Sequence, residues 1–368
     1  MTPIGTLHTS PVPPDAARTY VQWLDAPLDL LALGGKAGPL AQALAAGLPV
    51  PPGFVITTRA FRPDAAPTDD PLLSDATGEI LRAYHDLGLR LGEPEPRVVV
   101  RSSATAEDLA GASFAGQYDT FLRVRGPSEL LTYTARCWAS LWSENAAAYR
   151  EHYQSRSGTT LPLPQMSVLV QPLIDADAAG VAFTAHPTTG DRSRILINAG
   201  WGLGQSIVDG EVEADRDSLA DLENTVGFKA NKRAVASTTP TTPTNGATPT
   251  TSRGEAFRTP VPDHLQHAPC LTAAQAVAVA ALALRAETIT GGPADVEWAI
   301  SGATLWLLQA RPITTLPTTA TPSDTTVEPP THTPPSVVGP TPDFPFDWPT
   351  PESRHVNWQL RSVDQRRP

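Results

Sequence analysis

The residues with the clearest capacity for chemistry lie in ADVEWAISGATLWLLQARP, residues 294–312. Alternate residues of an extended strand share a face. Asp295 and Glu297 therefore lie together, opposite Val296, Trp298 and Ile300. On the next strand Gln309 and Arg311 lie together, with Leu305 and Leu307 further back. A three-residue hairpin loop at Gly302–Thr304 places Glu297 across from Gln309 and Asp295 across from Arg311. A shift by two still keeps the four clustered. Two carboxylates and an amide oxygen are hard ligands that suit Mg²⁺, which keeps several waters and phosphate oxygens. An arginine beside them can hold a phosphate through two parallel N–H bonds. Taken alone, such a hairpin is more often a solvated polar face with one salt bridge.

Three further segments carry similar chemistry, each ordinary by itself. Gly34-Gly35-Lys36 sits just before a helix, where backbone N–H groups and the helix dipole favour anions. Ala37 follows the lysine and the P-loop spacing is absent, so this is not a P-loop. In RSSATAEDLAGASFAGQYDT (101–120) an apolar strand delivers Arg101 into a loop of hydroxyl and glycine residues, a common way of cradling phosphates. Gly200-Trp201-Gly202-Leu203-Gly204 is glycine-rich but does not match the dinucleotide fingerprint.

Mixed helices and strands must position these residues. Residues 36–46 have helical spacing at Leu40, Ala41 and Leu44, with Gly47 as a stop. PPGFVITT, VVVRSS, SVLVQPL, GVAFTAHP and RILINAG are strand-like, and 272–290 is an alanine-rich helix. The 39 prolines are unevenly spread. STTPTTPTNGATPTTS (237–252) cannot bury enough apolar surface to fold, and neither can 317–343. The expected organisation is a flexible 1–18, a folded domain over 19–316 with a low-complexity insertion at 237–261, a Pro/Thr-rich linker at 317–343, and the start of a following domain at 344–368.

A net charge of −11 argues against nucleic-acid or anionic-membrane partners, yet leaves room for a nucleotide held by a few local cations. Two cysteines, Cys137 and Cys270, fit no zinc or redox spacing, and a reducing cytoplasm is expected. The N-terminus lacks a signal-peptide pattern, and no membrane-spanning apolar run is expected.

Taken in order, these segments resemble one family. LGGKAGPLAQALAAGLPVPPGFVITTRAF, VVVRSSATAEDLAGASFAGQYDTFLRV, CWASLWSENAAAYR, GVAFTAHPTTG, INAGWGLGQSIVDGEVEAD and GGPADVEWAISGATLWLLQARPIT resemble the N-terminal ATP-binding domain shared by pyruvate phosphate dikinase, phosphoenolpyruvate synthase and rifampicin phosphotransferase, over about residues 30–316. The resemblance implies a mixed α/β (α+β) ATP-grasp-type fold, followed by a disordered Pro/Thr-rich tail. It implies that ATP is split to AMP and phosphate while a histidine on a separate swivelling domain carries the β-phosphoryl group. A third domain then passes that group to pyruvate or to a rifamycin hydroxyl.

The resemblance also assigns residues. Lys36 is similar to the phosphate-contacting lysine of the family's GGK motif, and Arg101 to the arginine that clamps the transferring group. Gly116 and Thr120 fall in the glycine-rich phosphate loop. Gln171 matches the glutamine at the adenosine end. Glu297 and Gln309 match the magnesium ligands, with Asp295 nearby, and Arg311 matches the arginine of QARP. Lysine, arginines and Mg²⁺ together would stabilise charge on the phosphoryl oxygens.

The chain also departs from the pattern. The family's phosphocarrier histidine lies in a serine–histidine motif, and none of the eight histidines has that setting. His186, in FTAHPTTG, stands where the family usually has aspartate and is expected to be structural. Gln205 replaces the usual glutamate, and 216–236 lack a clear strand pattern. FPFDWPTPESRHVNW (344–358) resembles the segment that follows the ATP domain, as if a longer architecture were cut short at Pro368. The expected partners are ATP and a separate phosphohistidine or acceptor domain, with the acceptor undetermined. The alternatives are a nucleotide-binding module without turnover and a truncated product.

Overall fold

A computed structural model describes residues 19–27, 29, 32–62, 72–104, 108–109, 112–113, 119–143, 147–148, 155, 165–204, 215–218, 223–225, 231–234, 257–314 and 316. In chain order the first half contains β1 (Val21–Trp23), α1 (Gly34–Ala45), β2 (Phe54–Ile56), α2 (Ser74–Leu91), β3 (Val98–Ala104), β4 (Asp108–Leu109), β5 (Ala112–Ser113), β6 (Thr120–Val124) and α3 (Pro127–Ala139). Then come β7 (Met166–Pro172), β8 (Ala178–Phe183), β9 (Leu196–Trp201), β10 (Asp215–Ser218), β11 (Glu223–Thr225), β12 (Asn231–Ala234) and β13 (Phe257–Pro260). The series ends with α4 (Asp263–Gln266), α5 (Ala273–Thr290), β14 (Ala294–Ser301) and β15 (Thr304–Pro312).

Among these residues the strands build two main sheets, ordered β1-β2-β7-β3-β6 and β11-β10-β9-β8-β14-β15, with small pairs β12-β13 and β4-β5. All neighbours in the two main sheets are antiparallel. The expected mixture of helices with strands is therefore present.

The first sheet buries one face against α2 and α3. Alternation puts Val98, Val100, Val168 and Val170 on that face, where they meet Ile80, Tyr84, Leu87, Leu130, Tyr133 and Trp138. Helix α2 supplies its stripe from Ala76, Ile80, Ala83, Tyr84 and Leu87, at helical spacing, and ends at Gly92 in the left-handed region. The opposite face of the same strands carries Val99, Arg101 and Ser103, paired with Gln171, Leu169 and Ser167.

The second sheet packs its last two strands on α1 and α5, and Val296, Trp298, Ile300, Leu305 and Leu307 are buried there. A small cluster ties the two sheets together. Leu122 of the first sheet joins Ala179, Ala299 and Leu308 of the second, together with Leu173, Ile174, Ala176 and Leu203.

Four expectations change. Helix α1 begins at Gly34, so Lys36 lies in its first turn rather than ahead of it. Residues 215–234 contain β10, β11 and β12. Their sequences DRDS, ENT and NKRA lack apolar alternation, and the ladder they join is made by the backbone. Phe257–Pro260, placed within the insertion on sequence, forms β13 against β12. Finally, α5 is long and apolar enough to cross a membrane by length and composition. It packs on β14 and β15 and buries Ala276, Val279, Leu282, Ala283 and Ala286, as a core helix does. The expected flexible terminus 1–18, the low-complexity stretch 237–256, and the linker and following segment 317–368 lie outside the described residues.

Candidate active site

The hairpin β14–β15 pairs Glu297 with Gln309 and Asp295 with Arg311, the facing pairs expected from the sequence. The route to that register differs from the expected three-residue loop. Ser301 pairs with Thr304, so the loop is the two residues Gly302 and Ala303, with Gly302 at φ 58°. Asp177 accepts the Gly302 N–H at 2.7 Å, and Ser301 Oγ donates to the Asp175 carbonyl at 2.8 Å, fixing the turn. A β-bulge between Glu297 and Trp298 then takes up one extra residue, Leu308. Without it the tight turn would set Leu308 opposite Glu297 and send Gln309 to the core face.

Arg101 reaches this hairpin from the other sheet. It leaves β3 on the face away from α2 and α3. Its Nη2 donates to Gln309 Oε1 at 2.6 Å and to Glu297 Oε2 at 3.0 Å. Its Nη1 donates to the carbonyl of Leu308 at 2.5 Å. The bulged residue therefore supplies a third acceptor. The arginine side chain is 11% exposed and that of Glu297 29%, so the pair is largely withdrawn from water. Charge compensation offsets the desolvation of both groups.

Lys36 is held through its backbone. Ser103 Oγ accepts the N–H groups of Lys36 at 3.0 Å and of Ala37 at 3.1 Å, and donates to the Leu33 carbonyl at 2.8 Å. This distant serine thus satisfies two first-turn N–H groups of α1, and those groups are spent on the fold rather than turned to a ligand. Gly34 makes the approach possible: a Cβ there would lie 2.1 Å from the Ser103 carbonyl oxygen, and its φ is +70°. Lys36 is thereby tied two positions along β3 from Arg101, on the same face.

Thr120 is exposed and pairs with Arg101 across β3 and β6. Gln171 lies on the Arg101 face but is buried, with its Nε2 donating to the Pro51 carbonyl at 2.8 Å. Arg311 donates from Nε to Asp295 Oδ2 at 2.8 Å and from Nη2 at 2.5 Å, so Asp295 is ion-paired. Burial holds the Asp295 carboxyl above its usual range, with Arg311 opposing and Glu297 adding to the effect. Gly116 lies outside the described residues. His186 Nδ1 accepts the N–H groups of Thr188 and Thr189, each at 3.2 Å, within the turn that follows β8.

Two contributors escape a reading of motifs. Ser103 could have been found, because strand alternation sets it on the face of Arg101. The Leu308 carbonyl could not, because a bulge leaves no side-chain signal.

The donor set suits a divalent cation. A carboxylate oxygen and an amide oxygen converge on one positively charged nitrogen of Arg101. A metal held by these two hard ligands would complete its shell with water or phosphate oxygens.

Comparison with known proteins gives a consistent result. The family described as "Pyruvate phosphate dikinase, AMP/ATP-binding domain" matches residues 64–330. A probable phosphoenolpyruvate synthase of Methanothermobacter thermautotrophicus is 34% identical over 349 residues, covering 84% of this chain and 48% of that protein. The prodigiosin synthesizing transferase PigC of Serratia marcescens is 39% identical over 304 residues, covering 77% and 32%. A rifampicin phosphotransferase of a Streptomyces species is 36% identical over 317 residues, covering 78% and 35%. The chain therefore spans about half the length, or less, of the curated relatives it matches.

Proposed function

Since this chain belongs to the pyruvate phosphate dikinase AMP/ATP-binding domain family, we propose that it binds Mg·ATP between its two sheets and passes a phosphoryl group to a histidine on a separate domain or chain. The observation that carries this reading is the convergence of Arg101 from one sheet with Glu297 and Gln309 from the other. The paired antiparallel sheets support an ATP-grasp arrangement. In this reading Glu297 and Gln309 hold the cation, with Asp295 behind them. Bound there, the cation would neutralise charge on the phosphate oxygens.

Lys36, Arg101 and Arg311 would orient the phosphates and stabilise charge as the histidine attacks in line. In this reading Gln171 would serve the adenosine end and Thr120 the phosphates, and the family resemblance gives Gly116 a phosphate role as well. The domain performs no covalent chemistry of its own: its work is positioning and charge neutralisation. The relatives bear names with different products or substrates, so the final acceptor is a matter for other domains. Two cysteines without a metal or disulfide spacing support a cytoplasmic setting.

The test is incubation with Mg·[β-³²P]ATP and a supplied histidine domain, following label on the histidine. Label is expected, and its loss in Arg101→Ala and Glu297→Ala. A second reading, a nucleotide-binding module without turnover, is favoured by the setting of the eight histidines, none in a serine–histidine motif. Nucleotide binding without labelling would select it.

A further inference from the structure

We propose that Arg101 is a resident counter-cation for Glu297 and Gln309, so that nucleotide-free metal binding is weak and nucleotide and metal bind cooperatively. This rests on the reading of the cleft as a Mg·ATP site.

Glu297 Oε2 and Gln309 Oε1 are the two oxygens best placed to ligate a cation, and both already accept from the same Nη2 of Arg101. The bulged Leu308 carbonyl holds the other end of the guanidinium. These three acceptors lock the side chain across the ligand pair rather than leaving it turned into the cleft. The arginine is nearly buried, so its charge needs a partner in any state. Metal occupancy of the two oxygens requires the guanidinium to let go of them. Without nucleotide, the released cation would have no anion to turn to and would sit beside a second positive charge, which is unfavourable at short range. With nucleotide present, a phosphate takes the guanidinium through charge-assisted bonds, which arginine forms well. The same exchange frees the metal ligands and engages the phosphate. Coupling of this kind is reciprocal: metal must strengthen nucleotide binding by the factor that nucleotide strengthens metal binding.

Deleting Arg101 should raise nucleotide-free metal affinity while weakening nucleotide affinity. The probe is Mn²⁺, followed by electron paramagnetic resonance on the full chain without nucleotide. Arg101→Ala and the bulkier Arg101→Met are expected to bind Mn²⁺ about fivefold or more tighter than the native chain, the lower end of typical coupling factors. Adding Glu297→Ala to either variant is expected to abolish the gain. Equal or weaker Mn²⁺ affinity in the arginine variants overturns the proposal.

A measurement on the native chain covers the case in which the variants fail to fold. The Arg101 guanidinium ¹⁵N resonances are expected to stay unmoved by Mg²⁺ alone and to shift with Mg·ATP. A matching shift with Mg²⁺ alone overturns the proposal. Intact ATP binding alongside either negative result sinks only the exchange, whereas absence of ATP binding sinks the ATP-site reading and the exchange with it.

Discussion

Arg101 Nη2 and Glu297 Oε2 meet at 3.0 Å, although 196 residues separate them in the chain and they belong to different sheets. The contact joins the sheets by charge, where the Leu122–Leu308 cluster joins them by apolar packing.

The pair is therefore expected to be energetically coupled. Arg101→Met, Glu297→Gln and the double variant, compared by urea unfolding, should show a coupling of about 1 kcal/mol, kept modest because Glu297 is partly exposed. In the histidine-labelling assay each single substitution should lower transfer by about 10²-fold or more. Additive stabilities would remove the pair's role in joining the sheets.

The docking of α1 on β3 gives a second expectation. Gly34→Ala places a methyl group against the Ser103 carbonyl at a left-handed φ, and is expected to cost at least about 2 kcal/mol by urea midpoint. Gly47→Ala, with a similar φ but open space, should cost only about 1 kcal/mol. Ser103→Ala leaves two helix N–H groups without their acceptor, costing about 1–3 kcal/mol. It should also weaken nucleotide binding through Lys36.

His186 separates a structural histidine from a phosphocarrier. Its Nδ1 only accepts, and a carboxylate can accept the same two N–H groups. His186→Asp is expected to keep both stability and labelling, whereas His186→Ala should cost about 1 kcal/mol and still support transfer. Loss of labelling in both variants would give the residue a chemical role.

Asp295 sets a pH dependence. Burial raises its folded-state pKa above 3.8, so the folded chain holds this proton more tightly than the unfolded chain does. Its contribution to stability therefore falls as pH rises from about 3.8 through the folded-state value, then levels off. Asp295→Asn removes the titration. Melting temperatures of the two proteins, compared across that window, should shift against the native aspartate as pH rises. A difference that grows in its favour would mean that the Arg311 pair outweighs desolvation.

The cysteines are expected to be inert. Cys137 is fully buried, which pushes its thiol well above the ordinary range, with Asp119 adding and Lys36 and Arg136 opposing. Cys270 is buried as well. A thiol reagent should modify neither while the chain is folded and both on unfolding. Rapid labelling in buffer would contradict the packing of α3.

Much of the site was legible because its cues are local. Strand alternation alone put Asp295 with Glu297 and Gln309 with Arg311, whereas their facing pairs followed from a three-residue loop that the structure replaces with a two-residue turn and a bulge. Helical spacing identified α1, alanine-rich composition identified α5, and apolar runs identified β2, β3, β7, β8 and β9. The polar strands β10–β12 escaped notice because their ladder is made by backbone groups that no side-chain pattern reports. What tertiary structure alone decided is which distant elements share one cleft. The approach of β3 to β14 and β15 depends on packing summed over both sheets, not on any residue's own propensity. The same holds for Ser103, whose hydroxyl completes a helix that starts about 70 positions earlier, and for Leu308. A two-residue turn followed by a one-residue bulge reaches the same pairing at Glu297 as an unbulged three-residue turn. Sequence could name the partners, and only the folded backbone could supply the carbonyl that holds Arg101 between them.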